Sequence, residues 1–337
     1  MSDYENSRVH RVGNVGKGAV AGILSMVTML AACPTAIGQT FPSRPLTWVV
    51  PFAPGFTESF ARLIGAEMEK PLGQKVIIEL RPGAAGAIGA GAVAKAAPDG
   101  YTFLIAPPGP LVLLPYASAN PLAYDAVKDL APVGLAFSAN TSLAALSNFP
   151  ANNLADLVKL AKSQPGKLSY THSGTGGMAH LSVELLQLQA GLDMVDVPYK
   201  GDGDGVPDFL SGRVPLSTSG YSTLAPYIKE GKVKMIVQFG AARSPAMPDV
   251  PTAIEAGYPD SSTGSWLGVN ITAGSPQEAI AKLSNALIVA LKNQALRERM
   301  IAQGVVPIGS TPQQYAEFLR KERERWSAVI KKINLKL

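Results

Sequence analysis

Residues 46–105 read LTWVVPFAPGFTESFARLIGAEMEKPLGQKVIIELRPGAAGAIGAGAVAKAAPDGYTFLI, and this stretch decides the fold. Leu46–Pro51 is a short apolar, β-branched run closed by proline, which predicts a strand. From Ser59 to Met68, Phe60, Leu63 and Ile64 recur at helical spacing, with Glu67, Glu69 and Lys70 toward the end. Val76–Leu80 predicts a second strand. Gly83–Ala97 is small and Ala-rich, a loop followed by a helix. Asp99-Gly100 marks a turn, and Tyr101–Ile105 a third strand. This rhythm predicts an α/β fold with a mostly parallel sheet covered by helices.

The rhythm returns downstream. Helices are expected at 154–161, 178–189 and 206–210, and strands at 168–171, 196–199 and 233–239. The chain then ends in helices at 277–293, 298–303 and 312–333, the last opened by Thr311 as cap and Pro312 at the first position. Two extended segments, 133–146 and 266–273, are expected to carry the chain between two α/β units. The expected division is domain 1 at 39–141 and 263–337, discontinuous, and domain 2 at 142–262, with a ligand cleft between them.

The 337 residues are 47% hydrophobic and 16% charged, which suits a globular protein and excludes global disorder. One cysteine cannot build a zinc framework or a disulfide scaffold. The net charge is +5, but Lys and Arg are scattered, so no nucleic-acid partner is expected. Arg8, Arg11 and Lys17 precede an uncharged run, Gly18–Ala32, too short to span a bilayer as a mature helix. Ala36 and Gly38 follow as small-x-small before Gln39. This predicts a secretory signal peptide over 1–38, and hence a periplasmic location. Leu30-Ala31-Ala32-Cys33 offers a second processing site, a lipobox that would anchor the chain through Cys33. Cleavage after Gly38 removes the sole cysteine, as suits an oxidising compartment.

Several chemical motifs fail on context. Gly89-x-Gly91-x-x-Ala94 matches a dinucleotide fingerprint, but the glycines do not follow their strand directly and no acidic residue lies about 20 positions on. Close helix–sheet packing explains the run better. Asp202, Asp204 and Asp208 resemble a calcium loop, yet Val206 and Arg213 stand where ligands are required. His172 and His180 have no G-x-S-x-G elbow or H-E-x-x-H motif beside them. The sequence predicts no catalytic residue, no metal and no cofactor.

Glycine-rich turns at strand ends remain. Gly55-Phe56-Thr57-Glu58, Ala106-Pro107-Pro108-Gly109, Ser173-Gly174-Thr175-Gly176-Gly177 and Lys200-Gly201-Asp202-Gly203 each lead from a strand toward a helix. In open α/β sheets ligands sit at the carboxyl ends of strands, and helix N-termini favour anions. Together these turns predict a cleft for a small anion.

Ordered motifs along the chain carry a family resemblance. They include FPSRPL and VVPFAPG within Phe41–Gly55, RPGAAGAIGA at Arg81–Ala90 and APDGYTFL at Ala97–Leu104. YDAVKDLAPV at Tyr124–Val133, VPYKG at Val197–Gly201, RSPAMPDVPT at Arg243–Thr252 and GSTP at Gly309–Pro312 follow. Over Phe41–Trp326 the chain resembles the Bug/TctC family of periplasmic solute-binding receptors, the extracytoplasmic component of tripartite tricarboxylate-type transporters. The resemblance implies a two-domain flytrap that takes a small organic carboxylate and hands it to membrane permease subunits, without catalysis. A ligand-binding sensor for a membrane signalling protein and a secreted enzyme are the alternatives. Carried over by motif, Thr57 and Glu58 stand where the family has a Thr-Asp pair. Ser173, Gly174, Thr175, Gly176 and His180 match its S-G-x-G…H-L segment, Lys200 and Gly201 its Y-K-G, and Ser219 a cleft loop. Gly55, Phe56, Pro108 and Gly109 complete the expected site. Phe56 departs from the family glycine run; it would stack on an aromatic carboxylate or pack inward.

Overall fold

The computed structural model describes residues 40–337 except Lys200, Asp202, Ser262 and Asn334. The expected signal peptide, the lipobox and the site residue Lys200 lie outside the described residues.

Strands β1 (Leu46–Val50), β2 (Val76–Leu80) and β3 (Thr102–Ala106) lie where the opening stretch predicts them, with β1 parallel to both neighbours. Helix α1 (Phe56–Leu72) links β1 to β2. It starts earlier than the apolar spacing indicates, so Phe56, Thr57 and Glu58 form its first turn rather than a loop. The Phe56 ring meets Phe60 one turn on, edge to face at 4.9 Å, and gives that turn an apolar contact. Helix α2 (Ala87–Ala94) is short and rich in glycine because it lies against the end of β1. A Cβ at Gly89 would sit 2.7 Å from Pro51 Cβ. The G-x-G-x-x-A run is therefore a close-packing device.

Helix α3 (Leu114–Ala117) follows a π-turn at 109–113. The segment expected as a crossing, 133–146, is in fact two strands, β4 (Leu130–Ala139) and β5 (Ser142–Leu146), parted only by Asn140 and Thr141. Then come α4 (Leu154–Ser163), β6 (Ser169–His172), α5 (Met178–Ala190), β7 (Val195–Pro198), α6 (Val206–Leu210), β8 (Leu216–Ser217), α7 (Tyr221–Lys229) and β9 (Val233–Gln238). The second expected crossing is strand β10 (Ser265–Thr272). The chain closes with α8 (Gln277–Lys292), α9 (Gln294–Ile301), β11 (Val305–Pro307) and α10 (Pro312–Ile333).

Two sheets result, ordered β11-β4-β10-β3-β1-β2 and β7-β6-β8-β5-β9. β10 is antiparallel to β3 and β4, and β5 to β8 and β9. Hence β4 runs with β1–β3, and β9 runs with β6–β8. β11, at the sheet edge, is antiparallel to β4 and so runs with β10. β10 and β5 are each the first strand after a crossing. They enter at the carboxyl ends of the neighbours they pair with, so they run against those neighbours.

Side-chain alternation splits each sheet between two cores. In the first sheet Trp48, Phe103 and Ile105 bury against α1 and α8, while Val49, Leu104 and Ala106 face the opposite core with α10. In the second, Leu143, Ala145 and Tyr170 meet α4 and α5, and Ala144 packs with Phe209 and Leu224 on the other face. A fully buried phenylalanine such as Phe103 contributes about 1.5–3 kcal/mol relative to exposure. The start of α10 is a capping box: Gln314 N–H donates to Thr311 Oγ1 (3.2 Å) and Thr311 N–H to Gln314 Oε1 (2.9 Å). Farther along α10, buried Glu322 accepts from the indole N–H groups of Trp266 (2.9 Å) and Trp326 (3.2 Å), which ties the helix to β10. Among the described residues no helix is long and apolar enough to cross a membrane.

Candidate ligand-binding site

Strand direction gathers the candidate turns. β1, β3 and β4 run toward the first crossing; β6, β7 and β8 run toward the point where β5 begins. The turns after all of them therefore open at the crossing end of their sheets. The two crossing chains are pinned there side by side. Phe239 N–H donates to Thr141 O (2.8 Å), and the N–H groups of Thr263 and Gly264 both donate to Phe239 O. The Thr141 hydroxyl bonds Ser182 Oγ on α5 at 2.8 Å, and Ser182 Oγ also bonds Thr263 Oγ1. Asn140 Nδ2 donates to Gln238 Oε1 at 2.9 Å.

In the first sheet, Gly55 is exposed, with open space around it. Phe56 is 40% exposed; its inner edge meets Phe60 and Phe137, and its outer face is open. Thr57 is half-buried, and Glu58 pairs with Arg62 one turn on at 2.8 Å. Pro108 is buried and Gly109 half-buried after β3, the neighbour of β1.

In the second sheet, Ser173 and Thr175 are exposed on the turn between β6 and α5. Gly174 and Gly176 hold left-handed backbone, with φ of 122° and 76°. A side chain at Gly176 would meet Leu337, whose N–H donates to Ala117 O at 2.7 Å. The segment after α10 thus bridges the end of α3 and the β6–α5 turn. Ser219 is buried after β8, its N–H donating to Ser217 Oγ, which in turn accepts from Thr171 Oγ1. Gly201 is half-buried beyond β7. Asp208 accepts from Tyr199 (2.6 Å) and Arg213 (2.8 Å). Two shallow grooves flank Tyr116 and Ser118, and neither includes the turns at 55–58 or 173–177.

Beneath the β6–α5 turn lies a polar cluster that sequence reasoning did not assemble. Parallel pairing sets Tyr170 opposite Asp196, so Tyr170, His172 and Asp196 share one face, under α5. His180 and Glu184, four apart on α5, face them. The Tyr170 hydroxyl donates to Glu184 Oε1 (2.8 Å), as does Gln187 Nε2. Burial, followed by the Glu184 charge, pushes the Tyr170 hydroxyl well above its ordinary pKa. Burial and then neighbouring His172 hold His180 below the usual histidine value, against the opposing pull of Glu184 and Asp196. The signal available in sequence was the i,i+2 pair Tyr170/His172 and the i,i+4 pair His180/Glu184; nothing local pointed to Asp196.

His172, His180 and Asp196 offer three ligand atoms within 4.8 Å of one another, a spacing that would suit a metal. The hydrogen bonds argue otherwise. Gly174 N–H donates to His172 Nδ1 (3.3 Å) and Gly176 N–H to His180 Nδ1 (3.2 Å). An accepting Nδ1 leaves the proton of the neutral ring on Nε2, the atom nearest Asp196. Ligation through Nε2 needs the reverse, with Nδ1–H facing an acceptor.

Known proteins share this frame. The family model described as the tripartite tricarboxylate transporter family receptor matches residues 60–335. Protein BugT of Bordetella pertussis is 32% identical over 320 residues, covering 95% of this chain and 98% of its own. Rpa4515 of R. palustris, solved with adipate, superimposes with a TM-score of 0.79 at 32% identity, over 88% of this chain and 99% of its own. MatC from Rhodopseudomonas palustris, with bound malate, gives 0.75 at 36% identity, over 86% and 100%. Matched along nearly the whole of its described length, and in fold as well as sequence, the chain belongs to the tripartite tricarboxylate transporter receptor family.

Proposed function

We propose that this chain is a periplasmic receptor that captures a small organic carboxylate between its two sheets and delivers it to a membrane permease, without catalysing a reaction. The observation that carries the reading is the convergence of strand-end turns from two sheets on one pair of pinned crossings. Two lobes follow from it, 39–141 with 263–337 and 142–262, hinged at Asn140–Thr141 and Thr263–Gly264. The adipate and malate held by Rpa4515 and MatC support a carboxylate ligand. Gly55, Phe56, Thr57, Glu58, Pro108 and Gly109 would offer one wall. Ser173, Gly174, Thr175, Gly176, Lys200, Gly201 and Ser219 would offer the other, with His180 behind it. Among the described residues these turns carry the exposed hydroxyls of Ser173 and Thr175 and no Lys or Arg, so hydrogen bonds would carry most of the recognition. The open face of Phe56 admits an aromatic or long aliphatic carboxylate.

The test is thermal unfolding of the purified protein against malate, adipate, citrate and benzoate. A ligand that binds only the folded state stabilises it by about 2.7 kcal/mol at a hundred times its dissociation constant. A saturable rise in Tm with one class of carboxylate is expected. A folded protein that responds to none of them contradicts the reading.

A further inference from the structure

The β6–α5 turn is held by imidazoles rather than by a hydroxyl or carboxylate cap. The N-terminus of α5 carries no side-chain cap hydrogen bond. Instead, two buried rings tilted by 35° with centroids 4.6 Å apart each accept one amide of the turn, His172 from Gly174 and His180 from Gly176. These are two of the glycines whose left-handed backbone shapes the turn. An imidazole accepts through Nδ1 only while that nitrogen is unprotonated. In the imidazolium both ring nitrogens are donors, and an N–H would then face an N–H. Behind the rings, His172 Nε2 lies 3.2 Å from Asp196 Oδ2, and His180 Nε2 lies 4.0 Å from the same oxygen.

We propose that His172 and His180 are positioning residues whose rings fix the Gly174 and Gly176 amides, and that protonation of His180 releases the Gly176 end of the turn. The consequence for ligand capture rests on the receptor reading above, because the turn forms one wall of the site; the positioning itself does not. Among the described residues the titratable groups facing His180 are Tyr170 and His172 on β6, Asp196 on β7 and Glu184 on α5. Glu184 Oε1 is already occupied by Tyr170 and Gln187, and burial weighs most on His180, so its neutral form is favoured in the fold. The sign follows. A histidine whose folded pKa lies below its unfolded value of about 6.5 supports the fold fully above that pH. That support is lost as pH falls from there through the folded value. The Gly176 end of the turn is therefore held near neutrality and loosens on acidification.

Hydrogen exchange of the purified protein without ligand, read on the peptide covering 173–178 at pH 7.5 and pH 5.0, tests this. Rates are normalised to the intrinsic rate at each pH. Loss of one amide bond corresponds to roughly five- to tenfold less protection at pH 5.0. His180→Asn, whose Oδ1 takes the place of Nδ1 and does not titrate, keeps the Gly176 bond at both pH values and reduces the acid loss. His180→Leu exchanges fast at both. His172→Leu removes the acceptor of the Gly174 amide and should speed its exchange at pH 7.5. Protection that is equal at the two pH values in the parent chain, or unchanged in His180→Leu, overturns the proposal. So does saturable Zn²⁺ binding abolished by His180→Asn, since the rings would then serve a metal. The readout needs no ligand: a failed carboxylate panel with pH-dependent exchange sinks the receptor reading alone.

Discussion

The turns β1–α1 and β6–α5 are the same device in the two sheets, a strand end, a glycine-bearing bend and a helix start, yet they are held in different ways. The first rests on carbon: Phe56 leans on Phe60 and Phe137, Gly55 lies in open space, and Glu58 is spent on the neighbouring Arg62. The second rests on nitrogen: two imidazoles accept two amides, and Leu337 lies against Gly176. An apolar support fixes shape and is indifferent to pH. A support made of acceptors fixes backbone and answers to protons. Under the proposed receptor reading, the first turn would set ligand shape and the second the geometry of the backbone.

The largest effect that would sharpen this contrast is at Gly176. Gly176→Ala forces a side chain onto left-handed backbone and into Leu337, and should destabilise the protein by about 1–3 kcal/mol in urea unfolding. A smaller effect falls on Thr175, exposed on the same turn. Thr175→Ala should weaken the carboxylate found in the thermal panel about fivefold, on the order of 1 kcal/mol, with Tm of the free protein unchanged. Calorimetric titration of both proteins reads the difference; equal affinities would remove Thr175 from the site. The smallest effect is the counterpart in the first sheet. Gly55 has extended φ and space around it, so Gly55→Ala should stay within about 0.5 kcal/mol of the parent. A large loss there would break the comparison, because the first turn would then depend on backbone as the second does.

Local periodicity made much of the fold legible. Val76–Leu80 and Pro312–Ile333 are seen in full from spacing and capping alone, because their apolar pattern and their end signals agree. β8 is only two residues long and is a strand because β5 and β6 flank it, which no local pattern records. β4 and β10 read as extended but not as partners, since their pairing joins Ala131 to Ile271 across the whole second sheet. The candidate site divides in the same way. Its glycine-rich turns stand out in the sequence as sites of backbone freedom. The cluster under them does not, because Asp196 reaches His172 only through the parallel register of β6 and β7. The hydroxyls of Thr141, Ser182 and Thr263 likewise meet only once both crossings and α5 are in place.

Capture between the two sheets would leave its mark on hydrogen exchange measured with and without the carboxylate that raises Tm. At saturating ligand, exchange should slow in segments from both proposed walls, 55–59 with 107–111 and 173–178 with 219–221. Protection confined to one wall, or found only elsewhere in the molecule, would contradict it.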